Sequence, residues 1–200
     1  DIPMQLARLV AAAPEGEEWI HEVKYDGYRV RAWLEDGVAR LYTRTGQDWS
    51  DRFEPIAAAV AALPVGSALL DGEVVVLDAN GVPDFAALQH ALSVSDAAAL
   101  DYVVFDLLAI DDTDLRETPL LQRKELLRSL LEAAEGPGPL VFADHVTGRG
   151  AEFHQATCAL ELEGSISKRA DAPYRPGRAD DWRKVKCLQR QEFVIGGFTA

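Results

Sequence analysis

Apolar and polar residues alternate through 18–24, 27–35 and 37–43, the period of strands with one buried face, and Asp-Gly pairs at 26–27 and 36–37 punctuate them. That pattern predicts a three-stranded meander with tight turns at both pairs. Residues 51–63 are Ala-rich and predict a helix stopped by Pro64 and Gly66. A long strand is predicted over 67–78, closed by a turn at Asn80-Gly81. Helices follow over 84–92, 117–135 and 150–161, the second ending at Gly136-Pro137. Strands are predicted over 101–109, 139–145, 163–169, 182–188 and 191–198. Strands at hairpin distance, interrupted by single helices, give an α+β fold with antiparallel sheets.

At 200 residues and 48% apolar content, the chain suits one globular domain or a lobe of something longer. The first residue, Asp1, and the apolar end EFVIGGFTA lead us to expect a piece of a longer polypeptide. The longest apolar stretch, 56–70, is broken by Pro64, Gly66 and Ser67 and is short for a membrane span. No signal-peptide series opens the chain, so the expectation is a cytoplasmic protein with no membrane partner. Cys158 and Cys187 lack CxxC spacing, and the four histidines are read as incidental rather than as ligands beside them. This argues against structural zinc or a disulfide framework and is compatible with a reducing compartment.

A net charge of −13 argues against a protein that coats nucleic acid nonspecifically. Charge is uneven, however. Residues 168–190 hold eight basic and three acidic side chains, about +5, which leaves about −18 on the other 177. A basic strip on an acidic body suits local phosphate handling; a solvated strand face is the plainer alternative.

Lysine is scarce and unevenly placed. Of five lysines beside fifteen arginines, four lie in KYDGYR (24–29), EGSISKR (163–169) and WRKVKC (182–187). Arginine stays charged, whereas a lysine can be tuned into a nucleophile. Residues two apart on a strand share a face, so Glu22 pairs with Lys24, Asp71 with Glu73, and Lys184 with Lys186. Two of these pairs are like-charged, which predicts a metal over the carboxylates and phosphates over the lysines.

KYDGYR matches the KxDGxR pattern of covalent nucleotidyltransferases, the family of ATP-dependent DNA ligases, RNA ligases and mRNA capping enzymes. TRTG (43–46), LDGE (70–73), VFDLL (104–108), EGSISKR and WRKVKC follow in the family's order, so the resemblance spans nearly the whole chain. DAPYRPGR (171–178) and EFVIGG (192–197) resemble the ligase domain of bacterial end-joining DNA ligases in particular.

The resemblance implies two antiparallel sheets flanked by helices with a nucleotide cleft between them, the adenylation-domain fold, over residues 1–200. It implies that Lys24 takes AMP from ATP and passes it to the 5′-phosphate of a nick. Arg29 and Glu73 would hold the ribose, Phe105 would stack on adenine, and Lys184 and Lys186 would contact phosphates. Glu163 would help hold Mg²⁺ or Mn²⁺, Arg44 would engage the 5′-phosphate, and Glu22 would read the adenine amine. Guanine offers an acceptor at that position, so Glu22 favours ATP over GTP. Ser165 departs from the family's usual aliphatic residue after Glu163-Gly164. The implied partners are nicked or broken duplex DNA, a Ku-like end-binding protein, and an OB-fold domain elsewhere in the parent chain. The implied setting is bacterial, cytoplasmic and nucleoid-associated. A capping-type guanylyltransferase, an RNA ligase and a noncatalytic nucleotide-binding module remain the alternatives.

Overall fold

A computed structural model describes residues 3–94, 96–134 and 138–187. The chain begins with β1 (Gln5–Leu9) and β2 (Trp19–Val23), then forms the hairpin β3 (Tyr28–Glu35) and β4 (Val38–Thr43). A single 3₁₀ turn leads into α1 (Glu54–Ala61), where Pro55 sits in the first turn, the one helical position that needs no N–H. Then come β5 (Ser67–Val75), α2 (Phe85–Val94), β6 (Asp101–Ile110), β7 (Thr113–Asp114) and α3 (Leu120–Glu132). The described part ends with β8 (Leu140–Phe142), β9 (Val146–Thr147), α4 (Gly150–Ala159), β10 (Gly164–Arg169) and β11 (Gly177–Lys186).

Two sheets result. One runs β1-β11-β10-β2-β9, the other β4-β3-β5-β6-β7 with β8 added on β6. Most pairings are antiparallel as expected, but β1 runs parallel to β11 and β8 parallel to β6. Strand alternation sorts the second sheet's side chains. Val30, Ala32, Leu34, Leu70 and Val74 join Ile56, Val60, Leu88 and Leu127 in the helix-covered core. The intervening Arg29, Arg31, Leu69, Asp71 and Glu73 take the opposite face, where Leu69 packs with Leu108, Tyr174 and Trp182. Arg123 of α3 forks onto the fully buried Asp106 of β6 at 2.7 and 2.9 Å, tying helix to sheet.

The predicted three-stranded meander does not form. Asp36 and Gly37 do make a tight hairpin turn, with φ of 50° and 76°. Asp26-Gly27 is instead the point where the chain leaves one sheet for the other. β2 pairs with β10 and β9, and β3 pairs with β4 and β5. Gly27 crosses so close to β5 that a Cβ would lie 2.2 Å from the Val74 carbonyl oxygen.

The predicted helices form, three of them with trimmed ends and α2 running on to Val94, two residues past its expected end, and β11 starts five residues earlier than the expected 182. The strand expected over 191–198 lies outside the described residues. Cys158 and Cys187 form a disulfide, against the expectation from their isolation in sequence. The hairpin-like return of the chain from α4 through β10 to the end of β11 brings their Cα atoms within 5.4 Å despite 29 residues of separation. Among the described residues no helix is long and apolar enough to cross a membrane.

Candidate active site

A cleft of about 560 Å³ opens between the sheets, lined from both. Seven of the nine candidate residues line it: Glu22, Lys24, Arg29, Arg44, Glu73, Phe105 and Lys184. Glu163 and Lys186 flank it through their contacts with Lys24 and with each other.

Lys24 sits at the crossing between the sheets. Its backbone N–H donates to the Gly164 carbonyl at 2.9 Å, which anchors the residue to β10. Its ammonium pairs with Glu163, which also holds Lys186 Nζ at 3.1 Å. Burial pushes the Glu163 carboxyl up, but Lys24 and Lys186 outweigh it and hold it below its ordinary range. Lys184 is pushed down by burial and by the neighbouring charges of Lys24 and Lys186. The basic strip of the sequence therefore delivers a cationic wall to the mouth of the cleft.

Arg29 closes a fork on Asp71, with Nε 3.0 Å from Oδ1 and Nη2 2.8 Å from Oδ2. Asp71 is fully buried and also accepts the Tyr174 hydroxyl at 2.8 Å. Burial alone would raise its carboxyl, yet Arg29 keeps it low and ionised. A metal above the Asp71–Glu73 pair is thus ruled out at Asp71, because its opposite charge is an arginine. Glu73 differs: burial pushes it up to about 7 against the pull of Arg29 and Lys24. Among the described residues it has no ion-pair partner, so it remains available to a ligand.

Glu22 is buried, and its two oxygens are each 2.6 Å from an ammonium, Lys124 on one side and Lys168 on the other. Burial raises its carboxyl, but the two ammoniums outweigh that and hold it below its ordinary range. Lys168 is pushed down to about 8 by burial, against the pull of Glu22. Its Nζ lies 4.2 Å from the ring centroids of both Phe105 and Trp182. Phe105 meets the Trp182 ring edge-on at 5.9 Å, and Arg29 covers the Phe105 ring at 5.2 Å. The cleft floor is therefore an aromatic pair backed by buried charge.

Every lysine of the chain belongs to this construction, including Lys124, whose place in an ordinary helix gave no hint of it. Lys168 lines the cleft without having been assigned a role, although a loaded segment contained it, and Trp182 lines the cleft beside it. The signal for Lys168 was the lysine distribution itself. Tyr28 and Trp49, in ring contact at 5.4 Å, also line the cleft.

Glu163 offers the hard oxygen donors that suit an ion such as Mg²⁺, but both oxygens are paired with the ammoniums of Lys24 and Lys186, so such an ion would have to displace one of them. Glu73, which has no ion-pair partner among the described residues, lines the cleft.

Comparison with known proteins agrees with this geometry. A family model described as ATP dependent DNA ligase domain matches residues 4–186. The multifunctional non-homologous end joining protein LigD of Pseudomonas aeruginosa is 43% identical over 198 residues, covering 99% of this chain and 23% of the relative. Mycobacterium tuberculosis LigD is 34% identical over 199 residues, covering 99% of this chain and 25% of the relative. The chain thus spans about a quarter of the length of these relatives. A solved mycobacterial DNA ligase D, complexed with ATP and MES, superposes with a TM-score of 0.79 at 30% identity, covering 92% of this chain and 60% of that one.

Proposed function

The chain belongs to the ATP-dependent DNA ligase family, and from that membership we propose that it carries AMP on Lys24 and delivers it to DNA ends. The carrying observation is the meeting of Lys24, Glu163, Lys184 and Lys186 at the mouth of a cleft whose floor is Phe105, Trp182 and Glu73.

In the proposed first step the Lys24 amine attacks the α-phosphorus of ATP. A P–N bond forms, the P–O bond to pyrophosphate breaks, and the amine proton is lost. An ion-paired ammonium is no nucleophile, so the Lys24–Glu163 contact has to open first. Lys184 and Lys186 meet the charge that develops on the departing pyrophosphate. Glu163 would hold Mg²⁺ or Mn²⁺, which when bound supplies further neutralisation of phosphate charge. Arg29 and Glu73 hold the ribose, and Phe105 offers the adenine a ring face. Glu22 accepts from the adenine amine; a carboxylate has lone pairs beyond the two that its lysines occupy.

The lysyl–AMP bond is a phosphoramidate, and its nitrogen leaves readily once protonated. AMP can then pass to a 5′-phosphate that Arg44 engages at the edge of the cleft. Nicked or broken duplex DNA, a Ku-like end-binding partner, an OB-fold domain elsewhere in the parent polypeptide and a bacterial, nucleoid-associated setting belong to the same proposal. The support for these is that the relatives carry end joining in their names.

Intact-mass measurement tests the proposal, after pyrophosphate treatment to strip any AMP already carried. ATP and Mg²⁺ should add one AMP-sized increment to the chain and none to Lys24→Ala. Labelling by GTP in place of ATP, or a persistent adduct in Lys24→Ala, would overturn it.

A further inference from the structure

Behind the cleft, α4 and the end of β11 bring three metal-ligating side chains together. His154 and Cys158 are four apart on α4 and share a face; Cys187 follows β11 by one residue. His154 Nε2 lies 3.5 Å from Cys158 Sγ, and the ligand atoms of all three lie within 4.8 Å of one another. Cys158 and Cys187 are joined as a disulfide in this structure.

The histidine is oriented as a ligand would be. His154 Nδ1 lies 2.9 Å from the hydroxyl of Ser165, which is itself buried on β10. With Nδ1–H donated to that hydroxyl, Nε2 presents its lone pair toward the sulfurs, the arrangement by which proteins hold metal-bound imidazoles. Cys187 is fixed by the same stretch of chain, its N–H donating to the Glu163 carbonyl at 3.0 Å.

We propose that, once the disulfide is reduced, His154, Cys158 and Cys187 bind one divalent cation of the zinc class, with the fourth tetrahedral position open to water. Two thiolates and an imidazole suit a borderline-soft ion and discriminate against the hard ions that suit Glu163. Reduction by a phosphine or a small thiol adds two electrons and two protons to the cystine and yields two thiols. Binding of Zn²⁺ then displaces both thiol protons, while the neutral imidazole releases none. The bound ion would tie α4 to the chain immediately after Lys186, the position that the disulfide ties in the oxidised protein.

The test uses the whole chain, reduced with a phosphine and freed of metal. Titration with Co²⁺ should give one equivalent bound, with sulfur-to-cobalt charge-transfer absorption and tetrahedral ligand-field bands that Zn²⁺ abolishes. Zn²⁺ should also slow alkylation of both cysteines at least about tenfold, read by intact mass. His154→Gln and Ser165→Ala should each weaken Zn²⁺ binding roughly 10- to 100-fold. Cobalt spectra without thiolate charge transfer, cysteines alkylated equally fast with and without Zn²⁺, or unchanged affinity in His154→Gln would each overturn the site. The alkylation measurement needs no variant, so a substitution that fails to fold does not shield the proposal.

Discussion

Arg29 reaches past Glu73, the residue directly opposite it on β5, and closes its fork on Asp71 instead. The diagonal choice settles the roles of two carboxylates on one strand face. Asp71 becomes a permanent buried anion, and Glu73 is left at the cleft with an elevated affinity for a proton. The same guanidinium donates to the Gln5 carbonyl at 2.6 Å, so one side chain also ties β1 to the second sheet.

Arg29→Ala should therefore destabilise the fold as well as impair the site. Removing Arg29 leaves the buried Asp71 with only the Tyr174 hydroxyl and the charge of Arg31, a cost of about 3 kcal/mol. Urea unfolding of the variant checks this, and Arg29→Ala combined with Asp71→Asn should recover part of the loss. A loss below about 1 kcal/mol in the single variant would place the pair among weak surface contacts.

Glu73 gives the site a pH dependence of known sign. Its folded carboxyl titrates at about 7, above the ordinary glutamate value, because burial disfavours the anion. The folded state thus binds the extra proton, and this group's contribution to stability is full at low pH and fades as pH rises through 7. A ribose hydroxyl prefers the anion as acceptor, so metal-free adenosine affinity should rise by up to about tenfold between pH 6 and 8. Calorimetric titration should show that rise in the parent chain and a flat profile in Glu73→Gln.

Glu22→Gln should expose the cost of the two buried lysines. Loss of the shared counter-charge leaves Lys124 and Lys168 unpaired and costs about 3 kcal/mol at neutral pH. Lys168 already titrates at about 8 through burial, and loss of Glu22 lowers it further. The unfolded chain then binds more protons than the folded one, so the variant's stability should recover as pH is raised from 7 to 9. Thermal melts across that range read the slope; a loss that does not change with pH would detach the lysines from it.

Arg44→Ala should separate the two halves of the proposed reaction. With the proposed OB-fold domain supplied, nick joining should fall roughly 10- to 100-fold, the worth of one charge-assisted phosphate contact. Lysine adenylation should stay within about twofold. Equal loss of both activities would remove Arg44 from the DNA side of the site.

Much of this was legible in the chain itself. Period-two alternation fixed which side chains within one strand share a face, and it put Asp71 and Glu73 together on β5. Turn residues and the 3.6-residue pattern located the helices to within a few positions. The lysine distribution and the ordered segments marked nearly all of the cleft. These features depend on local geometry and residue chemistry, which a linear string carries.

Partnership was not legible. Alternation is blind to which strand lies alongside, so Asp26-Gly27 reads as a hairpin turn although it is a crossing between sheets. The opposite charge over Asp71 proved to be an arginine on the neighbouring strand, and Glu22 meets Lys124 across 102 residues. Cys158 and Cys187 likewise read as isolated until β10 and β11 folded them together. Sequence alone determined the periodicities and the chemical inventory of this protein. The long-range contacts that decide which charges neutralise one another, and which remain free to act, exist only once both sheets have closed around the cleft.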